Sequence, residues 1–237
     1  MASLTTLANQ GGCDKGTAWS FRHKYTYLYD LMFWPYRDAP IHFLELGLAV
    51  GGPDSHGGLL ERTVDSPSAS MWLGYFLNAT IHGFDISDFS HLRHERFRFV
   101  RGDAGVAEDL ERLAGSAPHF DIIIDDASHA SYHQQLALKV LWPRLSPGGL
   151  YIIEDLHWQS PVYEASMPCV PLTRDFLVAW FENGEYWPNA VFPPGHFLHL
   201  ASQVESFAAF PAFNAGPDPS VRLPDSSAKL IVLRKCL

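Results

Sequence analysis

The sequence predicts an α/β fold with a doubly wound, mostly parallel sheet. Short apolar runs alternate with helical patterns from residue 41 to 155, the order that lays parallel strands between helices on both faces. One run, Asp121-Ile-Ile-Ile-Asp125, has three aliphatic residues in succession, as in a strand buried on both sides. The runs also end in carboxylates: Asp85, Asp125-Asp126 and Glu154-Asp155. Parallel neighbours deliver their C-terminal ends to one edge, where ligands of such sheets bind. The last four carboxylates and His129 then converge, at a cost that a cation, a substrate or water must offset.

Residues 1–17 are small and polar and read as a flexible arm. Between Ala18 and Tyr36, residues Phe21, Tyr25, Leu28, Tyr29, Met32 and Phe33 recur at offsets of three and four. That is one apolar helical face, closed near Pro35 and suited to covering the sheet. A ligand contact by His23, Lys24 or Tyr27 is the alternative use of this stretch. Ile41 to Leu46 form the first strand, and Gly47 to Gly52 form a glycine-rich turn that can approach a nucleotide closely. The turn has neither the GxGxxG spacing nor the GK[ST] of a phosphate loop. Residues 53–68 read as a surface insertion that postpones the next helix to 69–77.

Strands follow at Thr80–Asp85 and Phe97–Arg101, then Gly102-Asp103-Ala104 and a helix over 105–114 with Val106, Leu110 and Leu113 on one side. A further helix, Tyr132–Leu141, stops near Pro143, and Ser146-Pro-Gly-Gly149 turns into the strand ending at Ile153. Residues 156–195 carry one helix, Thr173–Glu182, and read as a lid or interface. Strands near His199–Phe210 and Lys229–Arg234 have no helix between them, as in an antiparallel hairpin at the sheet edge. The 237 residues are read as a single domain: N-terminal arm and helix (1–40), cofactor-binding core (41–155), lid or interface (156–195) and C-terminal hairpin (196–237).

Seventeen basic against 26 acidic residues give a net charge of −9, with no basic cluster of the kind a nucleic-acid footprint needs. No apolar run approaches the ~20 residues that cross a bilayer. Three widely spaced cysteines, Cys13, Cys169 and Cys236, show no disulfide framework and fit a reducing cytoplasm. The N-terminus lacks the basic-then-apolar pattern of a signal peptide.

These ordered marks, Glu45-Leu-Gly47, Asp85, Gly102-Asp103-Ala104, Asp121 to Asp126 and Pro147-Gly148-Gly149, resemble a class I S-adenosylmethionine-dependent methyltransferase with a Rossmann-like, seven-stranded sheet and an antiparallel C-terminal strand. Asp14-Lys15-Gly16, His23-Lys-Tyr25 with Tyr29, Ser70-Met71-Trp72, Asp125 to His129 and Ile153 to Leu156 narrow the resemblance. They resemble the metal-dependent sugar O-methyltransferases of macrolide biosynthesis, of the mycinamicin and macrocin type. The resemblance covers residues 11–155.

It implies a divalent metal, magnesium or another, held by Asp126, Glu154 and Asp155. His129 becomes the general base, since a free imidazole with a pKa of about 6.5 is mostly neutral at cellular pH. Glu45, Gly47 and Gly51 line the methionine side of the S-adenosylmethionine pocket; Asp85 holds the ribose and Asp103 faces the adenine. Asp125 stands on the cofactor side or only orients its neighbours. The implied partner is a hydroxylated small molecule, a sugar moiety or vicinal diol of a glycosylated natural product; a homo-oligomer is open. Ala127 departs from the family's usual glycine.

Each acidic residue taken alone reads equally as a solvated strand end or helix cap. His129 and His133, four apart, also suggest zinc, although no third nitrogen or sulfur ligand accompanies them. His157 and Trp158 suit either substrate contact or packing, whereas Trp180, Trp187 and Phe192-Pro-Pro-Gly195 suit packing or an interface. Competing functions are a cephalosporin hydroxylase-like oxidoreductase and a non-catalytic binding protein of the same fold.

Overall fold

The computed structural model describes residues 2–19, 22–49, 65–157, 161–211 and 228–237, with backbone alone at 161–163. Its seven strands are β1 (His42–Leu46), β2 (Thr80–Asp85), β3 (Phe97–Arg101), β4 (Phe120–Asp125), β5 (Leu145–Ile153), β6 (Val204–Phe210) and β7 (Leu230–Lys235). They form one sheet in the order β3-β2-β1-β4-β5-β7-β6. The first five are parallel, and β7 runs antiparallel to both of its neighbours. The expected doubly wound sheet is therefore observed, with the antiparallel strand inserted beside β5.

Alternation along each strand separates two apolar layers. Ile122, Ile124, Leu150 and Ile152 face one layer with Phe43, while Ile123, Tyr151 and Ile153 face the other. On the first side pack α1 (Leu4–Gly11), α2 (Thr26–Phe33) and α3 (Pro67–Tyr75), which supply Leu4, Ala8, Tyr29, Phe33, Met71 and Trp72. On the second side lie α4 (Ala107–Ala114), α5 (Ser131–Leu141) and α7 (Thr173–Asn183). A short helix, α6, spans Pro161–Ser166, and α8 spans His196–Ala201.

The structure corrects several boundaries. The segment expected as a flexible arm contains α1, because Ser3 caps it by accepting the Thr6 N–H at 3.1 Å and Gly12 ends it in a left-handed turn. Leu4 and Ala8 then bury one face of α1 completely. The expected helix between Ala18 and Tyr36 shrinks to α2 and a 3-10 turn at Trp34–Tyr36. The insertion ends earlier than residue 68: Ser66 caps α3 through Ala69 and Pro67 opens it. The Ser146–Gly149 turn is absorbed into an irregular start of β5, with Gly148 left-handed and the register shifted. Residues 53–64 of the insertion, Gly51 and Trp158 lie outside the described residues.

The segment expected as a lid or interface is packed against the second layer where it is described. Phe176, Leu177, Val191, Phe192 and Phe197 are buried in the second layer. Gln135 donates to the Pro171 carbonyl at 2.7 Å and Lys139 to that of Val191 at 2.9 Å, so the segment is bolted onto α5. Trp180 joins this packing, and Trp187 is partly exposed. No helix among the described residues is long and apolar enough to cross a membrane.

At the N-terminal edge of the sheet, His82 is buried, with its Nε2 3.1 Å from Nδ1 of His42. Burial, with His42 and Arg98 nearby, pushes its pKa down to about 4. A depressed histidine binds its proton more readily in the unfolded chain, so its share of stability is complete above about pH 6.5 and is lost as pH falls toward 4. In urea titrations at pH 7.5 and 4.5, His82→Leu should lose about 2–3 kcal/mol less than the wild type between the two pH values.

Candidate active site

Sheet register decides which carboxylates meet. Glu45 pairs with Ile124, which pairs with Ile152, so these three share a face. Two residues on, Asp126 and Glu154 extend that face beyond the strand ends, toward the layer of α1 and α2. There they meet Lys15. Its ammonium donates to Asp126 and, at 2.8 Å, to Glu154 Oε2, and lies 3.6 Å from Glu45 Oε1. Lys15, Glu45 and Glu154 are each no more than 2% exposed. Burial disfavours the charge on Lys15, but Asp126, Glu154 and Glu45 outweigh it and hold the ammonium well above its ordinary range.

Backbone bonds place the lysine. The His23 N–H donates to the Asp14 carbonyl at 2.9 Å, the Lys24 N–H to that of Gly16 at 3.0 Å, and the Thr26 N–H to that of Lys15 at 3.2 Å. The two strands of this small loop carry Lys15 on one side and lead into α2 on the other. Tyr29, one turn into α2, donates its hydroxyl to Glu154 Oε1 at 2.6 Å. Tyr25 donates to Asp155 Oδ1 and accepts the Asp155 N–H at 3.3 Å.

Asp155 is the second focus. His23 Nδ1 lies 3.3 Å, Lys229 Nζ 3.8 Å and His157 Nδ1 3.8 Å from its Oδ1, and His129 Nε2 lies 4.0 Å from its Oδ2. Burial alone would raise its pKa; His23, His129, the Tyr25 hydroxyl and Lys229 together bring it below the ordinary carboxylate range. Asp155 and His129 both have left-handed backbones, at φ 52° and 60°. That conformation costs a non-glycine residue about 1–2 kcal/mol.

One ligand atom from each of Asp126, His129 and Asp155 lies within 4.8 Å of the others, and no further such group occurs among the described residues. Two carboxylates and an imidazole suit a divalent cation that keeps open positions. Glu154, expected as a third ligand, accepts from Lys15 on one oxygen and from Tyr29 on the other, which leaves a lone pair on each. His133 stays outside the group and faces Ser128 Oγ at 2.6 Å, which leaves the zinc reading without its second imidazole. His129 precedes α5 rather than lying on it.

On the cofactor side, Asp85 accepts the Leu48 N–H at 2.8 Å on one oxygen and the Ser87 N–H at 2.7 Å on the other. Burial raises the pKa of this carboxylate; the Ala49 N–H and the Ser87 hydroxyl, which also bond it, act with the other two donors to lower it. Gly47 has φ 84°, and a Cβ there would overlap the Asp126 carbonyl and stand 2.9 Å from Ala127 Cα. Its N–H donates to Phe84 at 2.8 Å, while the Asp126 N–H donates to Leu46 at 2.9 Å. Asp103 accepts the Gly105 N–H at 2.7 Å. Glu45 is turned into the acidic cluster and is bound by Ser68 at 2.7 Å. Asp125 points into the opposite layer, where burial pushes its pKa up to about 7.

Sequence reasoning assigned no role to Lys15, Tyr25, Tyr29 or Lys229. A signal existed for three of them: tyrosines four apart on an apolar face, and a lysine in a glycine-flanked segment. Of the alternatives at His23, Lys24 and Tyr27, only His23 reaches the cluster; Tyr27 is about half exposed.

This sheet order, with helices on both faces and an antiparallel strand next to β5, is the class I methyltransferase fold. No family model matches the chain. It is similar to the mycinamicin VI 2''-O-methyltransferase of Micromonospora griseorubida, 40% identical over 139 residues, which are 57% of this chain and 32% of that protein. It is also 39% identical over 153 residues to the 8-demethyl-8-alpha-L-rhamnosyl tetracenomycin-C 2'-O-methyltransferase of Streptomyces olivaceus, covering 65% of this chain and 37% of that one. A solved MycE methyltransferase from the mycinamycin biosynthetic pathway, in complex with Mg and SAH, superposes with a TM-score of 0.68 at 27% identity. That match covers 99% of this chain and 54% of the other. The resemblance to the macrolide sugar O-methyltransferases thus holds. The matched stretch is about a third of the length of the curated relatives, and the chain spans about half of the MycE structure.

Gly47→Ala should destabilise the fold by about 3 kcal/mol or more in urea unfolding, as strain and overlap add. Gly184→Ala, left-handed but with nothing within 4 Å, is the control and should cost about 1 kcal/mol. Tyr29→Phe keeps the packing but leaves a buried carboxylate oxygen without its donor; a loss of about 2–3 kcal/mol is expected by the same measurement.

Proposed function

We propose that this chain is an S-adenosylmethionine-dependent, divalent-cation-assisted O-methyltransferase acting on a sugar hydroxyl of a glycosylated natural product. The observation that carries the reading is the convergence of Asp126, His129 and Asp155 at the edge of a methyltransferase sheet. Structures similar to this one are complexes with Mg and SAH, one of them also with mycinamycin VI. Asp126, Glu154 and Asp155 would hold the cation. When bound, a divalent cation lowers the pKa of a hydroxyl beside it and stabilises the alkoxide that forms.

The protein's own part is to orient groups and move a proton. Neutral His129 accepts the proton of the acceptor hydroxyl at Nε2, and Asp155, 4.0 Å away, stabilises the imidazolium that results. Asp85 and Asp103 position the adenosyl portion of the donor, with Gly47, Gly51 and Asp125 shaping the pocket around it. S-adenosylmethionine supplies the methyl group, and alignment of the oxygen with it contributes more than covalent help from the protein. Residues 1–237 act as one domain in the cytoplasm, where Cys13, Cys169 and Cys236 are free thiols.

The hydroxylase alternative is less well supported, since the ligand-atom group among the described residues has one histidine rather than two. With mycinamicin VI and related glycosides as acceptors, Asp126→Ala and His129→Ala should each lose about 10²–10⁴ in methyl transfer. SAH binding, followed by calorimetry, should change less than about threefold, because neither residue holds the adenosyl group. Undiminished turnover in EDTA would remove the cation from the reading, and absence of SAH binding would remove the methyltransferase itself.

A further inference from the structure

We propose that Glu164 is a positioning residue for methyl transfer: it holds His129 in place by capping the helix that His129 introduces. The inference rests on the reading of His129 as the base. α5 begins at Ser131, behind Ala130, which makes no side-chain cap. The first N–H groups of a helix have no partner inside it. Ser131 is wholly buried, so water cannot serve its N–H. Glu164 Oε1 accepts that N–H at 2.8 Å, from 33 residues away along the chain. An unmade bond at a buried donor is costly, and a carboxylate is favoured at a helix N-terminus.

The bond matters to His129 because of the two stretches it joins. Ser131 lies just beyond His129, and Glu164 belongs to α6, on the chain that continues from Asp155. His129 and Asp155 are both left-handed, at φ 60° and 52°, and their side chains approach to 4.0 Å. The link from Glu164 to Ser131 ties the same two stretches together a second time, through the backbone. Other bonds anchor the helix start elsewhere. Ser128 Oγ accepts the Ala130 N–H at 3.3 Å, and Ser131 Oγ accepts the Thr173 N–H at 3.2 Å. The Thr173 hydroxyl donates to the Ser131 carbonyl at 3.2 Å, which fastens the turn to α7. A left-handed histidine persists only while its surroundings over-determine it. Without the Glu164 bond the turn relaxes, and a base displaced by about an ångström loses rate while the methyl donor stays bound.

The test uses the full chain as wild type, Glu164→Ala, Glu164→Met and Glu164→Gln, with mycinamicin VI as acceptor. Glu164→Met keeps the length of the side chain without an acceptor oxygen, whereas Glu164→Gln keeps an amide oxygen that can still take the Ser131 N–H. Glu164→Ala and Glu164→Met should each lower kcat about ten- to a hundredfold, with KM for S-adenosylmethionine within about threefold of wild type. Amide hydrogen exchange at residues 128–133 needs no turnover and should quicken at least about tenfold in both. Glu164→Gln should return kcat and exchange to within about threefold of wild type. Faster exchange with kcat unchanged would make Glu164 a structural cap and overturn the proposal, and unaltered exchange would overturn it as well. So would a Glu164→Gln as slow as Glu164→Ala, or failure of both Glu164→Ala and Glu164→Met to fold. A wild type that binds SAH but methylates no mycinamicin VI refutes the functional reading together with the proposal. An active wild type whose kcat survives Glu164→Ala refutes only the role of Glu164.

Discussion

A fully buried ammonium among three carboxylates is the interaction on which the rest of this structure depends. Leaving one buried charge unpaired costs several kcal/mol, more than any single neutral hydrogen bond returns. The parallel sheet cannot avoid the problem, because β1, β4 and β5 deliver Glu45, Asp126 and Glu154 to one face of one edge. Lys15 answers it from a segment more than a hundred residues away from two of its partners. The loop that carries Lys15 must therefore be ordered before the sheet edge is stable, and its backbone bonds to residues 23–26 do this. Tyr25 and Tyr29 follow on the same stretch and satisfy the oxygens that Lys15 does not reach. The N-terminal layer is thus part of the site rather than a cover over it.

Close backbone approach is the second requirement. The chain after β1 must pass directly against the chain after β4, and among the described residues Gly47 provides the side-chain-free, left-handed position at that crossing. The crossing is then held by a series of N–H to carbonyl hydrogen bonds: Gly47 to Phe84, Asp126 to Leu46, Glu154 to Asp125. These three links tie β2, β1, β4 and β5 together just beyond their ends. They fix the positions of Asp85 on one side and Asp126 on the other. Rigid backbone, rather than side-chain length, sets the separation between the nucleotide-type end and the charged end of the edge.

Local patterns made most of the fold legible. The boundaries of β2 and β3 follow directly from Thr80–Asp85 and Phe97–Arg101, where apolar runs are short and flanked by breakers. The first helix escaped notice because its apolar face consists of only Leu4, Leu7 and Ala8, although Ser3 and Gly12 mark both of its ends. At the site, sequence showed which strand ends carry charge but not which face each charge takes. Parity along the strands resolves this: Asp125 and Asp126 are adjacent and point into opposite layers, and Glu154 shares the face of Asp126 while Asp155 lies past the edge. Lys15 stood in the sequence only within the Asp14-Lys15-Gly16 mark, and its partners were illegible for a different reason. A pairing across 111 or 139 residues leaves no periodicity in the chain, and a lone lysine ordinarily reads as surface.

The geometry around Asp155 shows how the two charged foci differ in purpose. The Lys15 focus is sealed apart from Asp126, whose side chain is 21% exposed, and behaves mainly as structure. Asp155 keeps 9% of its surface and faces three imidazoles, of His23, His129 and His157, at the rim. Burial lowers the pKa of His23 and His157, whereas the carboxylates around Lys15 hold its ammonium charged. The left-handed backbones of His129 and Asp155 lie at this rim and nowhere in the sealed focus. Such strain persists only where the surroundings over-determine it, here by Tyr25 on Asp155 and by the Leu156 N–H bonded to the Lys229 carbonyl at 3.0 Å. Among the described residues His129 is the imidazole grouped with both Asp126 and Asp155, which is what supports the proton-transfer role proposed for it.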